Sequence, residues 1–221
     1  MSDGFSFRLQ AGHAALADQV VRVSDPDAYA AAMESAIGVE KMAQIECGAV
    51  TLHTCFSTFV PAFMYRAADA AMWLNKVRTE PVPSSWVYRA DLIEHFSCYN
   101  VYAVPETILH YLASRWGNVQ EQHALTELVG LLPTDGDDAV IARWNGRQVE
   151  FCAALRGRLQ IANQIDASTP HDAAYHIMNV YRQLNIDKRQ IPLRLLDMPM
   201  IQEGQGQMSL RHLLGTWLQL V

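Results

Sequence analysis

The stretch from Thr58 to Arg78, TFVPAFMYRAADAAMWLNKVR, most narrows what this chain can fold into. Pro61 suits the first helical position, where its missing N–H costs nothing and its fixed φ fits the helix. Phe63, Ala67, Ala70, Leu74 and Val77 then recur at helical spacing, with Val60, Met64, Ala68 and Ala71 beside them. Only Arg66, Asp69 and Lys76 mark a wet side. A helix this apolar and this rich in alanine needs close neighbours around most of its circumference. The expectation is a central core helix.

A second constraint lies further on. AVIARW and RQVEFC flank Asn145-Gly146, and Asn-Gly between alternating segments is a strong short hairpin signal, because both residues tolerate positive φ. A two-residue loop there sets Trp144 opposite Arg147, Ala142 opposite Val149 and Val140 opposite Phe151 on one apolar face. The other face carries Arg143 with Gln148 and Ile141 with Glu150, mostly polar, as in a half-buried ribbon. The hairpin is placed at about 139–152. Gly146 and Gly157 each disfavour the rival reading, one continuous helix, by about 1 kcal/mol.

Most other segments read as helix. Asp25 and Pro26 open one that carries Tyr29, Met33, Ala36 and Ile37, weakens at Gly38 and stops by Gly48. Pro105 opens a helix through Ile108, Leu109, Leu112 and Trp116 that Gly117 ends. Asn118 and Glu121 then resemble a capping box for a further helix to Leu132, so the two make an αα-hairpin. Ala153 to Ala162 reads as helix, and Thr169-Pro170 with Asp172 starts one that buries Ala173, Ile177, Val180 and Leu184. Ser209 caps a last helix with Leu210, Leu213, Leu214, Trp217, Leu218 and Val221 on one stripe. Trp217 lies mid-stripe and is expected to be buried, so its loss would cost about 3–5 kcal/mol if the helix closes the chain's own core, and would leave the isolated chain folded if the helix docks on a partner. Phe5, Phe7 and Leu9 alternate with polar residues as a short strand or extended arm. Ala49 to Val60 reads as strand or as lead-in to the central helix, and Ser85 to Leu92 stays open.

These elements add up to a mainly α fold: one compact helical domain over 1–221, with the small β-hairpin and extended arms. An N-terminal arm covers about 1–12 and a docking helix about 209–221. The composition fits a globular chain, with half of the 221 residues hydrophobic and 18% charged. The net charge of −6, from 17 basic and 23 acidic residues, argues against a general nucleic-acid binder. No basic region followed by an apolar run opens the chain, so a cytoplasmic location is expected. Thr51, His53, Thr54, Ser57, Thr58, Arg66 and Asp69 interrupt the longest apolar region, which leaves no membrane span. Cys47, Cys55, Cys98 and Cys152 form no CxxC pair and read as reduced, mostly buried thiols.

Few residues suggest chemistry. His53 and Cys55 stand two apart and face each other only in a strand. Glu106/His110 and His123/Glu127 are i, i+4 pairs whose spacing fits helix-surface pairing better than a carboxylate-bridged metal site. His171 and His176, five apart, do not share a helix face. Walker, GxSxG and HExxH motifs are missing. Neither a catalytic set, a cofactor nor a metal is expected. Two features suit partners: the cations Arg182, Lys188, Arg189 and Arg194, with only Asp187 against them, and the Leu210, Leu213, Leu214, Trp217 and Leu218 stripe. The functional expectation is a non-enzymatic helical adaptor or structural subunit of a larger assembly, with other protein subunits as partners. One alternative is an all-α metal- or haem-dependent enzyme or binder using histidines of the 106–127 region. The other is a nucleic-acid-associated subunit acting through the basic patch.

Overall fold

A hairpin forms at the expected place, but its turn lies one residue later than Asn145-Gly146, and the sheet around it is buried more deeply than a surface ribbon. In the computed structural model, which describes residues 4–11, 14–22, 28–38, 49–77, 80–117, 119–196 and 205–220, the chain divides into two compact units. One is Met1–Leu92 with Ser97–Ala124; the other is Ile93–Phe96 with Leu125–Val221. Both mix helices with sheets, so the mainly α expectation is wrong, and individual stretches show why.

In the second unit, β8 (Ala139–Trp144), β9 (Gln148–Leu155) and β10 (Arg158–Asp166) run antiparallel, and β11 (Leu193–Leu196) lies parallel to β8, in the order β10-β9-β8-β11. Trp144 faces Val149, Ala142 faces Phe151 and Val140 faces Ala153, two residues beyond the expected register. The turn therefore centres on Gly146-Arg147, and only Gly146 has a positive φ, at 88°, the pattern of a type II′ turn. Asn145 works through its side chain instead. Its Oδ1 accepts the N–H of Arg147 at 3.0 Å and of Gln148 at 2.8 Å. Because the slip is even, each residue keeps its face.

Ala153 to Ala162 is not a helix. Arg156 and Gly157 both take positive φ, 53° and 67°, and make a tight type I′ turn between Leu155 and Arg158. Asp138 Oδ1 holds the Arg156 N–H at 2.5 Å. Arg-Gly is a weaker sequence signal than Asn-Gly, and the apolar run on either side of it hid two strands.

Val140, Ala142, Trp144, Val149, Phe151 and Ala153 form one face of this sheet and pack under α5 (Pro170–Gln183) and α6 (Gln205–Gly215). Trp144 Nε1 donates to Ala167 O at 2.7 Å, so its buried indole is satisfied. Helix α5 starts where its capping box lies: Asp172 N–H donates to Thr169 Oγ1, and Asp172 Oδ2 accepts the Thr169 N–H, each at 3.1 Å. The Thr169 hydrogen bonds hold the Asp172 carboxyl below its ordinary range. The opposite face was expected to be polar and half-exposed. It is not. Ile141, Arg143, Glu150 and Cys152 are 1%, 7%, 2% and 0% exposed there. Helix α4 (Ala124–Gly130) lies against this face, with Leu128 O accepting from Cys152 Sγ at 3.6 Å. A strand covered on both faces reads as a continuous apolar run and loses its alternation.

The first unit follows the same rule. Its β4 (Ser57–Pro61), β6 (Cys98–Pro105) and β5 (Trp86–Ile93) form a sheet in that order. Val101 and Ala103 of β6 pack with Phe56, Trp86 and α2 (Ala70–Val77), while Tyr102 and Val104 pack with α3 (Glu106–Trp116) on the other side. The expected central helix over 58–78 is thus split. Thr58, Phe59 and Val60 pair with Val101, Asn100 and Tyr99. Pro61 ends an edge strand, where its missing donor is tolerated. Only Ala70–Val77 is α-helix, and Phe63 is 89% exposed. Strand β3 (Ala49–Leu52) runs parallel to β7 (Gln120–His123). The αα-hairpin is therefore absent, because a strand separates α3 from α4. The expected N-terminal arm is β1 (Gly4–Ala11), paired antiparallel with β2 (Ala14–Arg22). Helix α1 (Tyr29–Ile37) ends at Gly38, at φ 87°. The expected caps Asp25, Pro26 and Asn118 and the stop at Gly48 lie outside the described residues.

The turn is open to test. No heavy atom lies within 4 Å of a Cβ built on Gly146, so a substitution there reads backbone strain alone. Gly146→Val is expected to lower unfolding free energy by about 1–3 kcal/mol, and Gly146→Asn by less, measured by denaturant titration. Equal stability of Val and Gly variants would rule out the positive-φ turn.

Candidate functional site

The residues with the most reactive chemistry are tied into structure. In the first unit, Asp91 accepts the Tyr102 hydroxyl at Oδ1 (3.0 Å) and the His123 N–H at Oδ2 (2.8 Å). His123 is fully buried, and its Nε2 lies 3.1 Å from Thr54 O. A carbonyl can only accept, so Nε2 carries the proton. Burial first, then Asp91, pushes the Tyr102 hydroxyl far above its ordinary range. In the second unit, Arg143 Nε binds Glu150 Oε2, and Nη1 reaches Glu127 Oε2 at 2.8 Å. Burial alone would lower the Arg143 pKa, but the two carboxylates outweigh it and raise it.

The expected i, i+4 pairs fare differently. Glu106 and His110 meet at 3.7 Å on an exposed helix face, an ordinary surface pair. His123 and Glu127 are separated, one in β7 bound to Thr54, the other in α4 bound to Arg143. Among the described residues, no group of three His, Cys, Asp or Glu side chains is placed to hold a metal ion. Burial raises the thiol pKa of Cys98 and raises that of Cys152 far more, while Cys55 is half-buried. Sequence reasoning missed the Asp91 and Arg143 clusters. A cross-strand Arg143–Glu150 pair was the available signal, hidden by the two-residue error in register.

The partner-binding candidates are brought together in part. Leu210, Leu214 and Leu218 are core residues, and Leu213 packs partly against them. Trp217 follows the end of α6 and is 56% exposed, contrary to expectation. Its ring lies under Lys188, with Nζ 5.4 Å from the centroid. Arg182 at the end of α5 and Arg189 in the following turn are exposed. Arg194 is set apart: it pairs with Ile141 and so points to the sheet face away from α5 and α6. An exposed indole under a cation, with two more cations on the adjoining α5 end and turn, is a recognition surface in miniature.

Set beside known proteins, the chain is similar over its whole length to a Bacteroides thetaiotaomicron protein with actin-like ATPase fold and unknown function. The TM-score is 0.79 at 13% identity, covering 100% of this chain and 86% of that one. It therefore has that fold. Residues 41–205 match the family described as Protein of unknown function (DUF3822), and the chain belongs to that family. The cytoplasmic domain of EpsL, an inner membrane component of the type II secretion system of Vibrio cholerae, matches with a TM-score of 0.47 and 11% identity over 97% of this chain and 90% of that one. At that distance it carries no argument. No curated protein matches the chain.

These findings overturn the functional expectations. The helical adaptor or structural subunit loses its helical scaffold, and neither the family nor the actin-like neighbour supports it. The same holds for the all-α metal- or haem-dependent protein and for the nucleic-acid-associated subunit. Among the described residues, no helix is long and apolar enough to cross a membrane.

Thiol reactivity checks the burial. In native protein at neutral pH, Cys55 is expected to react with a thiol reagent well before Cys98 and Cys152, which label only on unfolding. Peptide mapping by mass spectrometry reads this, and prompt native labelling of Cys152 would contradict a two-sided sheet.

Proposed function

We propose that this chain acts in the cytoplasm by recognising a protein partner, and that it carries no chemistry of its own. The observation behind this is Trp217, a large aromatic 56% exposed with a cation over its ring. Exposed aromatic and basic side chains are the types that dominate binding hot spots. The disposition of the reactive groups also favours it, since His123, Tyr102, Arg143, Glu150 and Cys152 are buried in internal contacts. The reading concerns a discrete surface on an α/β fold and requires no helical scaffold.

The neighbour's fold description supplies a second reading, binding of an adenine nucleotide. Tight turns hold phosphate through free N–H groups. At the β8–β9 turn, the N–H groups of Arg147 and Gln148 already point at Asn145 Oδ1, which weighs against that role there.

The test is a comparison of Trp217→Ala with wild type. Because the ring is exposed, the variant should lose at most about 1 kcal/mol of stability, far less than a core tryptophan. It should also fail to retain a host protein that wild type retains on affinity purification and chemical crosslinking. An unchanged set of crosslinked partners would contradict the proposal. So would hydrolysis of ATP, or stabilisation by Mg-ATP of about 2.7 kcal/mol at a hundredfold excess over its dissociation constant.

A further inference from the structure

We infer that the segment recognised at Trp217 is acidic: a stretch of partner protein rich in Asp and Glu, laid against Lys188 and Arg189. The inference rests on the protein-recognition reading and adds the partner's chemistry. Between Arg182 and Arg189 stand three cations and one carboxylate, 3 − 1 = +2, on a chain whose net charge is −6. Among the described residues, no carboxylate neutralises that local reversal of sign. Asp187 Oδ1 accepts the backbone N–H of Arg189 at 2.9 Å, and its backbone oxygen accepts the N–H groups of Gln190 and Ile191 at 3.0 Å. Among the described residues, Arg182, Lys188 and Arg189 enter no ion pair.

The turn that carries the cations is also held firmly. Ile186 N–H donates to Tyr181 O at 2.8 Å, the Tyr181 hydroxyl donates to Ile191 O at 3.1 Å, and Leu193 N–H donates to Gln219 O at 2.8 Å. Asn185 takes the left-handed conformation at φ 50°, which asparagine tolerates. Less ordering is then needed when a ligand arrives. Lys188 also decides between two anionic partners. A nucleic acid would stack a base on the Trp217 ring, and the ammonium already occupies one of its two faces. A carboxylate can pair with Lys188 and Arg189 without displacing it, and a partner's apolar side chain can lie along the remaining edge.

The probe is a fluorescently labelled synthetic peptide of alternating Asp/Glu and Leu/Phe, titrated with full-length protein and read by anisotropy. The comparison ligands are its Asn/Gln counterpart and a single-stranded oligothymidylate. Binding of the acidic peptide is expected to weaken as salt rises and to fall at least tenfold in Trp217→Ala and in Lys188→Glu/Arg189→Glu. Circular dichroism should show each variant folded, and Arg194→Glu should bind like wild type. Equal affinity for the neutral peptide, tighter binding of the oligonucleotide, or an equal loss in Arg194→Glu would overturn the inference. If the acidic peptide fails while host-protein capture still depends on Trp217, the acidic chemistry alone is wrong. If both fail, the recognition reading falls with it.

Discussion

The Arg143 guanidinium, buried on β8 and bound by Glu150 from β9 and Glu127 from α4, is the interaction on which the second unit depends. Taking charges out of water is costly, and the attraction between them offsets that cost only when geometry and further hydrogen bonds are good. Two carboxylates from two elements meet that condition. The consequence is structural specificity: a one-residue slip between β8 and β9 would turn Arg143 into the face lined by Trp144 and Phe151, with no partner. Strand β6 in the first unit meets the same demand with less charge. Buried on both faces, it satisfies its Tyr102 hydroxyl through Asp91, which also accepts the His123 N–H at the end of β7.

Two-sided burial also explains what the sequence could and could not reveal. Elements with sharp local chemistry were legible: the hairpin near Gly146, though not its register, the Thr169–Asp172 capping box, and the helix between Pro105 and Gly117. Central strands were not. β9 was read as strand only as far as Cys152, and β6, buried along most of its length, lacks the period-2 pattern that marks a half-buried strand. Thr58 to Val77 misled for a related reason. Pro61 fits the start of a helix as well as the end of an edge strand, and only the pairing with β6 decides. The C-terminal stripe was legible as a core element through Leu210, Leu214 and Leu218, but α6 ends at Gly215, so helical spacing could not place Trp217.

Function separates from fold along the same line. The actin-like architecture shared with the Bacteroides thetaiotaomicron protein shows how the chain is built and leaves open what it binds, since one fold hosts many roles. Arg143, Glu150 and Cys152 lie inside, where the Arg143–Glu150 pair ties β8 to β9. The outward groups of the second unit include the Trp217 indole, Lys188 over its ring and Arg189 in the same turn, the surface on which the proposed recognition rests.

The account stands most directly on the buried clamp, and a double-mutant cycle at Arg143 and Glu150 measures it. Arg143→Met should cost about 3–5 kcal/mol, because it takes the guanidinium away from the buried Glu150, and Glu150→Leu should cost less, because Glu127 still holds Arg143. The double variant should cost far less than their sum, with a coupling of up to about 3 kcal/mol. Single losses below about 0.5 kcal/mol that simply add would mean the pair is solvated, and a sheet covered on both faces would then be wrong.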